Sequence, residues 1–127
     1  MIDALFSQSN YVAAKRMLDV SALRHQAIAS NISNIETPLY RRVDVAPAFE
    51  NQLREAVASG DMARISAMTP MLTPDDKAVA VRADGNTVNI EQEMARMTQN
   101  TVESSLETAL ITGSLLKIRA AITGKVG

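Results

Sequence analysis

From about Asn10 to Asn34 the apolar residues Ala13, Met17, Val20, Leu23, Ala27 and Ile28 return at steps of three and four, and Asn31 continues the stripe. Lys15, Asp19, Gln26 and Ser33 fall on the other side. This pattern predicts an amphipathic helix of roughly 25 residues, about 37 Å long. One helix of that length cannot bury its stripe alone. The partner is expected in residues 84–127, where Asp84-Gly85-Asn86 reads as a turn, Asn89 as an N-cap with Gln92 three positions on, and Gly124 as the residue just past a helix end. Between the caps the pattern predicts a helix of about 33 residues. Glu91, Glu93, Glu103 and Glu107 lie in its first part and Lys117 and Arg119 near its end, a polarity the helix dipole favours, with Arg96 as the exception.

The second helix carries two apolar rows. Met94, Met97, Ile111, Leu115, Ile118 and Ile122 form one, and Val102, Leu106, Ala109, Gly113, Leu116 and Ala120 form a second, read as its neighbour. Either one row covers the N-terminal helix and leaves the other to bind something else, or a single wide face is buried inside one domain. Thr101, Ser104 and Thr108 interrupt the first row, so the pair by itself is expected to be only marginally stable.

Between the helices the periodicity changes. Ala48 to Ala63 predicts a short helix with Phe49, Leu53, Val57 and Met62 inward, Pro70 and Pro74 break a Met-rich stretch, and Ala78 to Arg82 predicts a short strand. The expected organisation is one structural domain in three segments: 1–43, 44–83 and 84–127, the middle one an excursion that stays mobile until a partner covers it. The fold class is all-α, with the terminal helices paired as an antiparallel coiled-coil hairpin.

Composition narrows the function more than the fold. The chain has 127 residues, 3% aromatic, with no Trp and seven Met. Such side chains suit helix-on-helix seams better than a ligand pocket, which is more typically lined with aromatics. A net charge of −1 without a basic stripe gives no footprint for nucleic acid. There is no cysteine, so disulfides and thiol chemistry are excluded. Apolar runs such as Ala78-Val79-Ala80-Val81 are too short for a membrane span, and no cleavable secretory signal is read at the N-terminus.

Catalytic chemistry finds little to work with. His25 is the sole histidine and has no His-x-x-x-His or Glu-x-x-His spacing, so it reads as a solvated side chain. Asp75-Asp76 sits in a Pro-bounded loop and reads as a solvated turn rather than a carboxylate pair. The five glycines never cluster as a phosphate-binding loop requires. No cofactor or metal is expected.

The end of the first helix is the most specific feature. Ala29-Ser30-Asn31-Ile32-Ser33-Asn34-Ile35-Glu36-Thr37-Pro38-Leu39-Tyr40 closes the helix with paired asparagines and then turns, because Asn tolerates the left-handed conformation and Pro38 prevents continuation. The string resembles the A-x-N-[IL]-A-N-x-x-T-P-G-Y box of the axial proteins of the bacterial flagellum, through Asn31, Asn34, Thr37, Pro38 and Tyr40. A second segment, Asp84-Gly85-Asn86-Thr87-Val88-Asn89-Ile90-Glu91-Gln92-Glu93-Met94 followed by Asn100, is similar to the segment opening the C-terminal helix in the proximal rod subunit of the FlgB type. Leu39 stands where that family commonly has Gly, so a different turn type, without a positive φ, is expected there.

The resemblance implies a structural subunit of the basal-body rod, within the periplasmic space, exported without a cleavable signal through the flagellar type III apparatus. Its partners would be copies of itself, other rod subunits, and adaptor and export-gate proteins at the rod base, with no nucleic acid and no membrane insertion of its own. Met17, Val20, Leu23, Ala27, Leu106, Ile111, Leu115 and Ile118 are the expected seam and assembly residues. The rival reading is a soluble helical adaptor or export chaperone that binds a partner's amphipathic helix.

Overall fold

The computed structural model describes residues 8–124, the side chains at positions 8–10 and 118 excepted, so the side chain of the expected seam residue Ile118 lies outside the described residues. Helix α1 spans Gln8–Ser33. It stops where Ser33 Oγ donates to the Ala29 carbonyl (2.8 Å) and Asn34 Nδ2 to that of Ser30 (2.9 Å), side chains taking the last acceptors of the helix. Strand β1 (Val43–Val45), helices α2 (Pro47–Ser59) and α3 (Met62–Ala67), and strand β2 (Leu72–Pro74) follow, and α4 (Ile90–Thr123) ends the described chain. Asn89 caps α4 by accepting from the Gln92 N–H at 3.2 Å, and Gly124 closes it in the left-handed conformation. The protein is mostly helical, with long N- and C-terminal helices and one small sheet.

The middle segment is built differently from the sequence reading. The single helix expected over Ala48–Ala63 divides at Gly60, whose φ of 67° ends α2, and Asp61 then caps α3 by accepting from the Arg64 N–H at 3.0 Å. No strand forms at Ala78–Arg82. β1 and β2 instead pair antiparallel, in the register Val43 to Pro74, Asp44 to Thr73 and Val45 to Leu72. Beside the expected strand the Val81 N–H donates to the Asn86 carbonyl at 3.0 Å, but one such bond does not make a ladder. Pro74 is tolerated at the end of a strand with one neighbour, where its missing N–H breaks no central ladder.

The buried apolar cluster joins this segment to α1. Val45, Phe49, Leu53, Ala56 and Ile65 pack with Val20, and Met17, Leu23, Val57 and Leu72 lie against them. Side chains of this size contribute roughly 1.5–3 kcal/mol each when buried. Segment 44–83 therefore supplies most of the core.

α4 meets α1 through polar contacts. Asn31 Nδ2 donates to Glu93 Oε2 (3.2 Å), Asn100 Nδ2 to the Ser21 carbonyl (2.8 Å), and Ser21 Oγ to Glu107 Oε2 (2.7 Å).

Candidate functional site

The end of α1 and the approach to α4 form one hydrogen-bonded junction. Asn86 is fully buried, and its amide nitrogen donates to the carbonyls of Asn34 (2.9 Å), Ile35 (3.1 Å) and Thr37 (2.8 Å). Its oxygen accepts the Val88 N–H at 2.7 Å. One side chain thus caps the helix end and fixes its own loop. Thr37 Oγ1 donates to Asn34 Oδ1 (3.1 Å), the Leu39 N–H to the Asp84 carbonyl (3.0 Å), and the Thr87 N–H to that of Tyr40 (3.0 Å). Thr37 and Pro38 are exposed, whereas Asn34, Tyr40, Asp84 and Gly85 are half-buried.

Leu39 adopts a φ of 60°, contrary to the expected turn type. The turn keeps the left-handed backbone because the Leu39 N–H must reach Asp84, and the cost for a non-glycine residue is roughly 1–2 kcal/mol. Gly85, at φ 81°, leaves the space: a Cβ there would stand 2.8 Å from Leu39 Cδ2.

Asn31 has both ends of its amide engaged. Nδ2 donates to the Val43 carbonyl (2.9 Å) and Glu93, while Oδ1 accepts from the Val43 N–H (2.9 Å) and Tyr40 OH (3.2 Å). An apolar residue here would extend the stripe of α1 but could not tie β1 to both long helices. Glu93 is 0% exposed, and Arg42 Nε donates to it at 2.7 Å. Arg42 also reaches Asp75 (2.6 Å) and Asp44 (3.3 Å), and Arg96 reaches Glu93 (3.0 Å).

Burial opposes the charge on Arg42, but its bonds to Glu93 and Asp75 and the nearby Asp44 outweigh it and raise its pKa. Burial would likewise raise the Asp75 pKa. The Arg42 bond and the Lys77 N–H overcome that and hold the carboxyl below its usual range. Asp75 was read as a solvated turn residue; it does accept from Lys77 N (3.0 Å), yet it also belongs to the Arg42 network. Single residues 33 and 51 positions away from Arg42 leave no local spacing by which sequence reasoning could find these pairs.

A second polar layer lies one step along the helices. Arg24 contacts Glu50, Asp44 (3.5 Å) and Glu103 (3.6 Å) beside a cavity of ≈ 500 Å³. Burial lowers the Arg24 pKa, but the Glu50 bond and these charges more than compensate and raise it. Burial raises the Glu107 carboxyl, the Ser21 bond only partly countering it, and Glu103 and Glu50 add to the rise.

The expected seam residues divide by helix. Val20 and Ala27 are fully buried on α1, and Met17 and Leu23 half-buried. On α4 Ile111 is half-buried, but Leu106 is 61% exposed and Leu115 48%. The side of α4 turned to α1 carries Glu93, Asn100 and Glu107, with half-buried Met97 and Ile111 at compatible spacing. Met97 and Leu106 are separated by about two and a half turns, so the second apolar row stands opposite the first rather than beside it. Val102, Leu106 and Leu116 of that row are exposed. His25 is exposed, and among the described residues no group of three or more His, Cys, Asp or Glu side chains could hold a metal ion.

The junction spends its polar groups on a helix end, a turn and a strand, and the apolar surface lies on the far side of a long helix. That construction defines a helical structural protein. No family model matches the chain. It is similar to the flagellar basal body rod protein FlgB of Borrelia hermsii, at 30% identity over 116 residues, covering 75% of this chain and 82% of that protein. It is also similar to FlgB of Escherichia coli K12 and of Shigella flexneri, each at 25% identity over 114 residues, covering 77% of this chain and 81% of theirs. The chain belongs to the FlgB family of flagellar basal body rod proteins. It is a structural rod subunit and not an enzyme, and the adaptor or chaperone alternative finds no support among these relatives. Among the described residues no helix is long and apolar enough to cross a membrane.

Proposed function

We propose that the chain is a proximal rod subunit whose α1 and α4 act as an antiparallel coiled-coil hairpin, packed against neighbours in a tubular helical array. Exposure of the outer row of α4 carries this reading: Val102, Leu106 and Leu116 of that row, and Leu110 beside it, are exposed and lack an apolar cover among the described residues. A contiguous exposed apolar stripe marks an interaction surface. When the two contacting patches differ, subunits add head to tail and, if the ring does not close, build a helical tube. The neighbours would be copies of the chain, other rod subunits, and adaptor and export-gate proteins at the rod base. Export through the flagellar type III apparatus into the periplasmic space belongs to the same reading.

Met17, Val20, Leu23 and Ala27 would hold the α1 side of the hairpin, and Leu106, Ile111, Leu115 and Ile118 the α4 seam and assembly side. Asn31, Asn34, Thr37, Pro38, Tyr40, Asp84, Gly85 and Asn86 would set the helix end against a neighbour.

The experiment is electron microscopy of basal bodies from an in-frame deletion strain, complemented with the native chain or with Leu115→Asp. The expected result is rings without a rod in the deletion strain, rods with the native chain, and none with Leu115→Asp although the variant is made. Complete flagella in the deletion strain would overturn the reading.

A further inference from the structure

The outer face of α4 has a finer pattern than its exposure alone. Val102, Leu106, Ala109, Gly113, Leu116 and Ala120 recur at strictly alternating steps of four and three. That period of 3.5 makes a narrow seam for one other helix, whereas a helix face that packs on the body of a domain is broader. Gly113 is the member of the seam that the single chain does not explain. Its φ is not in the left-handed region, and a Cβ there would meet nothing within 4 Å among the described residues. Glycine inside a helix is unfavourable relative to alanine, and neither the backbone nor the space around it calls for one here. Close approach of a second helix does.

The partner has to present a matching seam. Among the described residues the exposed large apolar side chains lie on α4 and in loops, none on α1, α2 or α3, so within a copy of the chain α4 is the helix that offers one. Two such seams can run parallel or antiparallel, and the flanking residues decide between them. Glu103, Leu110 and Lys117 stand seven residues apart on one flank. Antiparallel pairing about a two-fold axis beside Leu110 sets Leu106 opposite Leu116 of the second copy, Val102 opposite Ala120, and Ala109 opposite Gly113. On the flank it brings Glu103 against Lys117 and Leu110 against its own copy. The layers of small residues then fall at the centre, where the helices come closest. A parallel pair in register would stack Gly113 on Gly113 and set Glu103 beside Thr98 and Lys117 beside Thr112, without attraction. The Glu103 side chain is 41% exposed, and its contacts with Arg24 (3.6 Å) and Gln99 (3.0 Å) leave lone pairs for a further cation.

We propose that the outer seam of α4 takes the α4 of a second copy in antiparallel orientation, forming a closed dimer in solution. The same patch serves on both sides, so the pair is isologous and cannot propagate. It covers the face that the rod reading assigns to neighbouring subunits and thereby holds subunits back from polymerising; only this consequence rests on the rod reading. Alanine and glycine fill much of the seam, so the dimer is weak, with a dissociation constant on the order of 10–100 μM, and the dilute chain is a monomer.

The test uses the purified full chain. Sedimentation equilibrium from about 1 to 500 μM should show a monomer–dimer equilibrium and no larger species. The chain has no cysteine, so single substitutions report orientation without background. Under mild oxidation Leu106→Cys and Leu116→Cys should each stay uncross-linked alone and form a disulfide when mixed. In the antiparallel pair the two copies of position 106 lie about 15 Å apart along the axis, beyond disulfide reach, while 106 and 116 share a layer. Glu103→Lys should weaken the dimer about three- to tenfold, and adding Lys117→Glu should restore it to within about twofold. A native chain that stays monomeric throughout, or grows without limit as concentration rises, sinks the proposal whether or not any variant folds. Self-cross-linking of Leu106→Cys alone would show a parallel pair and sink it too, as would a charge reversal that the second change does not rescue. None of these failures touches the rod reading, which is scored in the deletion strain. Complete flagella there would remove only the role of the dimer in holding subunits back.

Discussion

Asn86 shows how much one side chain can hold at a helix end. Replacing it with Ala removes the side-chain donor from three carbonyls, each of which keeps one other donor, and leaves the buried Val88 N–H without its partner. The expected loss is about 3 kcal/mol, read as a lower urea midpoint with an unchanged slope. Leu39 makes the opposite case. Its φ of 60° is unfavourable for any residue with a Cβ and its side chain is mostly exposed, so Leu39→Gly should raise stability by about 0.5–1 kcal/mol after the entropy of the added glycine is offset. A fall in the unfolding midpoint would show that the Leu39 side chain contributes more by covering Gly85 than its backbone costs. The capping role of the asparagines was legible in the chain because Asn at a helix end has a local physical meaning. Which carbonyls Asn86 serves was not, since its partners lie about 50 positions away and come close only once α1 and α4 dock.

The polar ties between elements respond to pH in opposite directions. Asp75, with its pKa lowered by the Arg42 and Lys77 bonds, adds stability that is present above the ordinary carboxylate pKa of 3.8 and is lost as pH falls through its lower folded value. Asp75→Asn should therefore flatten the acid limb of the stability profile. Glu107 has a raised pKa, so the fold binds its proton more readily than the unfolded chain does. Its contribution is fully present below 4.5 and declines as pH rises through the folded value. Glu107→Gln should make the isolated chain more stable at neutral pH than the parent and remove that decline. Denaturant titrations from acid to neutral pH check both signs. At this scale the sequence conveyed the two long helices and their caps, which depend on periodicity and on residues within one turn. It misplaced the strand because pairing Val43–Val45 with Leu72–Pro74 is a contact across α2 and α3, and it treated the outer row of α4 as adjacent to the inner one.

The division of labour across the whole molecule separates folding from assembly. The apolar cluster around Phe49 and Leu53 lies between α1 and the middle segment, while the large apolar side chains of α4 are mostly outside it. Substitutions at the two places should then fail in different assays. Phe49→Ala removes a buried ring and is expected to cost about 3–5 kcal/mol. Leu106→Asp changes a side chain that is 61% exposed in the single chain, and its unfolding midpoint should move by no more than about 0.5 kcal/mol equivalent. In a rod, the same aspartate would bring an unpaired carboxylate into an apolar contact, where burial without a partner is strongly unfavourable. Rod assembly should accordingly be lost with Leu106→Asp while the purified chain stays as stable as its parent. If assembly persists with that variant, the outer face of α4 is not a subunit contact. If the purified chain unfolds instead, Leu106 belongs to the fold and not to the assembly surface.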